Sequence, residues 1–187
     1  MDFASLIAAR RSIRVFRKAP VDQKKLKAIL EAVDAAPSAG DLQAFEVVAV
    51  TKPAVREALA AAARGQEPVS HAPVVLVFFA NPARNSARYG KRVPDLYAVQ
   101  DATIACAFAH LRAADLGLGS VWVGAFDDEA VRKAVHAPKE LLPVALLPIG
   151  HPDEKPEPTP RRGVKSLVRK ERFQDQANAE KAVTQRG

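Results

Sequence analysis

Residues 73–80 read PVVLVFFA, a continuous apolar run that begins with a proline and is followed shortly by Pro82. An apolar run of this length without polar alternation is typical of a strand that is buried on both faces. We therefore expect a buried central strand here. Its neighbours in the sheet are predicted at residues 45–51 (FEVVAVT), 119–125 and 142–149.

Helical patterns lie before and between these strands. Residues 22–35 carry apolar side chains at spacings of three and four, and Asp22 can cap the helix. Other helices are predicted at residues 2–10, 53–63, 94–116 and 127–136. The helix at 94–116 is rich in alanine on nearly every face, which indicates burial all round. Residues 81–93 are polar and basic without an apolar period, and they indicate a mobile loop.

This order of elements predicts an α+β protein, a three-layer α/β/α sandwich in which helices flank a central mixed sheet. The length of 187 residues suits one domain. We expect its core at residues 1–150. Residues 151–187 are expected to form an extended C-terminal arm, because four prolines lie between positions 152 and 160. The few apolar side chains that follow must dock on the same domain or on a second subunit.

The basic charge of the chain is concentrated at its two ends. Of the net charge of +7, residues 1–30 contribute +6, while residues 31–150 are slightly acidic. This distribution weakens the hypothesis of a general nucleic-acid-binding protein. The single cysteine excludes an intrachain disulfide framework and a cysteine-rich metal site. The four histidines lack metal-ligand spacing, so we expect no metal. Without a signal-peptide pattern or a membrane span, we expect a cytoplasmic location.

Three segments are candidates for ligand binding. In Arg10–Arg14 (RRSIR), three guanidinium groups and a hydroxyl group lie within five residues and can converge on a phosphate, although a solvated basic turn has the same pattern. Residues 37–43 (PSAGDLQ) are small or polar and allow close backbone approach to a flat ligand, or they form an ordinary connection. Residues 117–124 (GLGSVWVG) precede a strand instead of a helix, so they are not a Rossmann phosphate loop.

Taken together, these segments resemble the nitroreductase family of flavin enzymes. The resemblance extends from about residue 2 to residue 173 and follows the order of motifs in that family. It is carried by RRSIRVF (10–16), APSAGDLQ (36–43), LYAVQDA (96–102), GLGSVWVGAF (117–126) and IGHP (149–152), together with Arg161 and Arg162. Within LYAVQDA, we expect Gln100 and Asp101 to cap or crosslink the long helix.

The resemblance implies an FMN-binding homodimer with its flavin sites at the subunit interface. Arg10, Ser12 and Arg14, beside Arg11, would hold the phosphate, and Arg161 and Arg162 would approach it from the C-terminal side. Other implied cofactor-binding residues are those of the flavin ring and ribityl chain: Pro37, Ser38 and Ala39 from the partner subunit, Gln43, Val123 and Gly124. The chain departs from the family at Asp41, where asparagine is usual.

The function implied is that of an FMN-dependent oxidoreductase. It would pass hydride from NADH or NADPH through the flavin to a nitroaromatic, quinone or similar acceptor. The flavin would carry the chemistry, so no catalytic protein side chain is expected. Two alternatives remain open. One is a flavoprotein of the same fold with another reaction, such as reductive dehalogenation, flavin fragmentation or dehydrogenation. The other is a basic nucleic-acid-binding module.

Overall fold

The computed structural model describes residues 1–90 and 94–173 of the chain. The helices are α1 (Phe3–Ala9), α2 (Gln23–Asp34), α3 (Pro53–Ala62), α4 (Glu67–His71), α5 (Pro82–Tyr89), α6 (Pro94–Asp115), α7 (Asp128–Val135) and α8 (Val164–Leu167). The strands are β1 (Phe45–Val50), β2 (Val74–Ala80), β3 (Gly119–Ser120) and β4 (Leu142–Gly150). Asp22 caps α2 as predicted, and Asp127 caps α7; each carboxylate accepts a backbone N–H group of the first turn.

The sheet has the strand order β1-β2-β4-β3, and its ladders are antiparallel. An isolated parallel bridge joins Ser12 to Ser120, so the mixed character of the sheet is limited to its edge. All seven residues of β2 are buried between β1 and β4. The prediction of a buried central strand is therefore confirmed, and the continuous apolar run follows from burial on both faces.

Successive side chains of β2 enter two separate cores, because they alternate between the faces of the sheet. Leu76 and Phe78 pack with Ile29 of α2 and with the alanines of α6. Val77 and Phe79 pack on the other face with residues of α3, α4 and α7. Helices thus cover both faces, and the predicted three-layer α+β sandwich is confirmed.

The long helix α6 is buried on one side only, which corrects the expectation of burial all round. Its buried residues recur at helical spacing: Ala98, Asp101, Ala102, Ala105, Cys106, Ala109 and Ala113. Thr103, Ala107 and Phe108 on the other side are exposed. The small alanine side chains bring α6 close to the sheet and to α2, with no requirement that its other faces be covered.

Two predictions of local structure were wrong. Residues 82–89, predicted as loop, form α5, and residues 91–93 of that predicted loop lie outside the described part of the chain. The helix lacks an apolar period because a polar residue, Asn85, is fully buried on it. The strand predicted at 119–125 is paired regularly only at Gly119–Ser120. The carbonyl of Pro148 in β4 accepts a weak hydrogen bond from the Val121 N–H group at 3.4 Å. Proline has no N–H group, so it cannot donate a second ladder bond to this segment.

The chain divides into two compact units, Met1–Pro156 and a second one that begins at Glu157. Residues 151–156 thus belong to the first unit, six residues beyond the predicted core boundary. The N–H group of Asp153 donates to the Val15 carbonyl, and Phe16 bridges to Pro152. The second unit contains α8, and residues 174–187 of the predicted arm lie outside the described part. None of the described helices has the length and apolarity that a membrane span requires.

Candidate functional site

The arginine-rich segment lies against the glycine-rich segment, at the edge of the sheet. Ser12 forms the parallel bridge to Ser120, and the Ile13 N–H group donates to the Ser120 carbonyl at 3.0 Å. Gly119 permits this approach, since a Cβ atom on it would lie 2.7 Å from Cγ2 of Ile13. The fold therefore brings together two of the three segments that the sequence singled out.

A histidine of α6 connects these two segments. Arg10 Nη1 lies 2.9 Å from Nε2 of His110, and Nδ1 of His110 lies 2.6 Å from Oγ of Ser120. Burial lowers the pKa of His110 to about 4, with a further contribution from the positive charge of Arg10. The imidazole is consequently neutral at physiological pH. Sequence reasoning missed His110 as a site residue, and the available signal was a histidine within an alanine-rich helix.

A cavity of about 220 Å³ opens beside this cluster. Its lining includes three cationic side chains, Arg10, Arg11 and Lys155, together with Gly119 and Ser120. Arg11 also donates to the carbonyls of Ala8 and of Arg10, at 2.6 and 2.9 Å. Several cations and a hydroxyl group around one cavity suit an anion such as a phosphate monoester.

One carboxylate, that of Glu154, also lines the cavity. Its Oε1 accepts the backbone N–H groups of Arg14 and Val15, the latter at 3.1 Å. The Arg14 side chain is exposed and does not line the cavity. The structure therefore brings Arg10, Arg11 and Ser12 together and leaves Arg14 at the margin.

The segment 37–43 is held by a buried carboxylate on α6. Asp101, only 2% exposed, accepts the N–H groups of Ala39 at 2.8 Å and of Ala44 at 3.3 Å. The expected crosslinking role of Asp101 is thus confirmed. Ser38 Oγ accepts the N–H group of Gln43 within the same turn. Ala39 also borders a groove of about 430 Å³ along the exposed face of α6.

The polar residues Gln43 and Asp41 of this segment have different surroundings. Gln43 has a positive φ of 46°, and its amide donates to the Asp34 carbonyl at 2.8 Å. Asp41 is exposed. Gly40 adopts a φ of 58° and lies so close to Tyr89 that a Cβ atom would be 2.7 Å from the Tyr89 hydroxyl. Helix α5 therefore supports this segment.

The remaining predicted residues lie in two other places. Val123 is buried and bridges to Leu146 of β4, whereas Gly124 is exposed beside Trp122. Arg161 and Arg162 belong to the second unit, where both side chains are exposed.

Two groups of candidate residues contact helix α6 within one chain: the Arg10 group (Arg10, Arg11, Ser12 and Ser120) and the segment 37–43. His110 contacts the Arg10 group and Asp101 holds the segment 37–43, nine positions apart on the helix. Nine residues correspond to about 2.5 turns and about 13.5 Å of rise, so the two contacts lie on opposite sides of α6. Within a single chain the Arg10 group and the segment 37–43 therefore lie on different sides of α6.

The structure so far defines an α+β sandwich with a cavity at the edge of its sheet that three cationic side chains line. Comparison with known proteins identifies the family. The profile of the nitroreductase family matches residues 7–70 and 64–151 of this chain. This chain belongs to the nitroreductase family.

Characterised relatives support this assignment. The NADH dehydrogenase of Thermus thermophilus is 33% identical, over 90% of this chain and 95% of its own length. The oxygen-insensitive NADPH nitroreductase of Salmonella typhimurium is 31% identical, over 90% of this chain and 73% of its own length. The structure of the NADPH:FMN oxidoreductase of Vibrio harveyi, complexed with NAD+, superposes with a TM-score of 0.85. It is 27% identical and covers 96% of this chain and 81% of its own.

Proposed function

We propose that this chain is an FMN-dependent NAD(P)H oxidoreductase that reduces a nitroaromatic, a quinone or a similar acceptor. One observation carries the proposal: in a chain of this family, the Arg10 group lies beside a cavity lined by three cationic side chains. The phosphate of FMN is a dianion, and such a group needs several cations and hydrogen-bond donors. The Vibrio harveyi relative, named for its use of NADPH and FMN, supports the same chemistry.

The arginines and Ser12 have different roles in binding the phosphate of FMN. Arg10, Arg11 and Ser12 hold the phosphate, and Arg14, Arg161 and Arg162 add positive charge around it. Gly119 gives the close backbone approach that this arrangement needs. Hydride acceptance and release are supplied by the flavin ring when FMN is bound, and the protein residues bind and orient it.

The flavin ring is contacted by residues of both subunits of a homodimer. Pro37, Ser38 and Ala39 come from the partner subunit. Their position on the opposite side of α6 from His110 supports this assignment. Gln43, Val123 and Gly124 complete the surroundings of the ring and the ribityl chain. The C-terminal arm docks on the partner subunit, and the exposed apolar side chains of Leu167 and Phe173 support that role.

A cytoplasmic location completes the proposal. The use of a single cysteine, Cys106, which is fully buried, is consistent with a reducing compartment.

The binding of FMN tests the proposal directly. The purified protein should bind FMN at micromolar concentration, and the flavin absorbance should bleach anaerobically on addition of NADH or NADPH. Replacing Arg10 and Arg14 by alanine should weaken FMN binding at least about tenfold, because charge-assisted hydrogen bonds are lost. A matched control removes two positive charges from exposed lysines of α2, Lys24→Ala and Lys27→Ala, and should retain affinity. Absence of FMN binding by the wild-type protein would refute the proposed function.

A further inference from the structure

His110 lies between two residues that line the cavity, Arg10 and Ser120. It projects from the alanine-rich helix α6, and both of its ring nitrogens are engaged. One nitrogen contacts Arg10, and the other contacts Ser120. Both of these residues line the cavity, whereas His110 does not. A residue placed in this way acts on a ligand only through its neighbours.

The chemistry of the partners determines the tautomer of the imidazole. A guanidinium group only donates hydrogen bonds, so Nε2 of His110 must accept from Arg10. The proton of the neutral ring is then on Nδ1, which donates to Oγ of Ser120 over 2.6 Å. Protonation of Nε2 would remove the acceptor and place two positive charges 2.9 Å apart. Only the neutral ring with its proton on Nδ1 satisfies both contacts.

This arrangement sets the directions of two groups at the cavity. The bond to Nε2 restrains the guanidinium of Arg10, which a long and flexible side chain does not achieve alone. The bond from Nδ1–H occupies a lone pair of Ser120 Oγ, so the hydroxyl proton of Ser120 points to another acceptor. Both effects preorganise donors for an anion before it binds.

We propose that His110 is a positioning residue that orients Arg10 and Ser120 toward the phosphate group of FMN. The inference rests on the proposed function, since it assumes that the ligand of the cavity is a flavin phosphate. It adds to that function a residue from α6, outside the arginine-rich segment.

Two amide variants distinguish positioning from packing. In His110→Gln, the side-chain oxygen reaches roughly the place of Nε2 and can accept from Arg10. In His110→Asn, the side chain is one methylene shorter and reaches only the place of Nδ1. Both variants carry the same polar amide group and differ by one methylene, so a difference between them that appears with FMN and not with riboflavin reports on the contact with Arg10. Exposed His71→Asn serves as the control.

The experiment compares FMN with riboflavin, which lacks the phosphate. Affinities are measured by quenching of flavin fluorescence, and folding is verified by circular dichroism. We expect His110→Asn to weaken FMN binding at least about tenfold. The same variant should leave riboflavin binding within about twofold, and His110→Gln should retain most of the FMN affinity. In an Arg10→Ala background, His110→Asn should have no further effect on FMN binding.

Three outcomes would contradict the positioning role of His110. Equal weakening of FMN and riboflavin by His110→Asn would mean that His110 only supports packing, and the inference would fall. Unchanged FMN affinity in both amide variants would overturn it as well, while the proposed function would stand. If the wild-type protein binds neither flavin, the proposed function fails, and this inference fails with it.

Discussion

At the scale of single residues, His110 links the site to the pH dependence of stability. Its pKa in the native protein is lowered from 6.5 to about 4, first by burial and then by the charge of Arg10. Between these two values the unfolded chain binds more protons than the native protein. The free energy of unfolding therefore falls as the pH falls through this window, and the contribution of His110 to it is present in full above about pH 6.5.

The corresponding prediction concerns unfolding in urea at pH 7.5 and pH 4.5. The wild-type protein should lose up to about 3 kcal/mol of stability through His110 on acidification, a loss that His110→Gln removes. Carboxylates contribute to acid destabilisation in both proteins, so the difference between the two slopes is the quantity of interest. The exposed His71→Gln should keep the wild-type slope. Parallel slopes for wild type and His110→Gln would contradict the lowered pKa.

The candidate site could be predicted from the sequence where neighbouring residues carry the same chemistry. Arg10 and Arg11 are adjacent in sequence and line one cavity, and the next residue, Ser12, bridges to Ser120 of the same lining. His110 and Lys155 reach the same place from distant parts of the chain, and their signals are single polar residues in ordinary surroundings. Only tertiary contact selects such residues. Arg14 shows the converse, since its position within the motif does not place its side chain at the cavity.

At the scale of elements, the approach of the N-terminal segment to β3 depends on a glycine. A Cβ atom on Gly119 would lie 2.7, 2.8 and 2.9 Å from Cγ2, Cβ and Cγ1 of Ile13. Of these atoms, Cβ is bonded directly to the backbone of Ile13 and both Cγ atoms are bonded to Cβ, and Ile13 itself is buried and packs with Phe16 and Ala72. Relief of the clash must therefore move the segment itself and, with it, Ser12 and Arg10.

The prediction is that Gly119→Ala destabilises the protein by about 1–3 kcal/mol and weakens FMN binding. Gly124→Ala provides a graded comparison, because its new Cβ would meet only the tip of Trp122, at 3.2 Å from Nε1. That second variant should lose clearly less stability in urea unfolding. If Gly119→Ala were as stable as the wild type, the segment would have to be more adaptable than these distances indicate.

Elements were predictable from sequence where burial leaves a recognisable apolar pattern, either a continuous run or a helical period. The strand β2 and the helix α2 are such cases, since their buried residues are the apolar ones. Helix α5 was missed because the residue buried on it is Asn85, which contributes no apolar period. The early end of β3 depends on Pro148 in a different strand, and no inspection of residues 119–125 alone reveals it.

At the scale of the whole molecule, the position of α6 accounts for the proposed dimer. The Arg10 group and the segment 37–43 contact opposite sides of this helix, at positions separated by about 13.5 Å along its axis. In the proposed dimer, the partner subunit would supply residues 37–39 to the ligand from outside. We expect that contact to use the apolar residues that α1 and α6 leave exposed, among them Phe3, Ile7 and Leu96.

The exposed apolar face of α1 allows a direct test of this surface. No residue of this helix is buried in the single chain, and Phe3 and Ile7, 67% and 53% exposed, lie one turn apart on one face. Replacing both by glutamate should shift the mass measured by light scattering from the dimer to the monomer. FMN affinity should fall with it, since the partner's residues 37–39 are then missing. Glutamates at exposed Gln23 and Thr51 should leave both properties unchanged. A monomeric wild-type protein that binds one FMN per chain would refute a site shared between subunits.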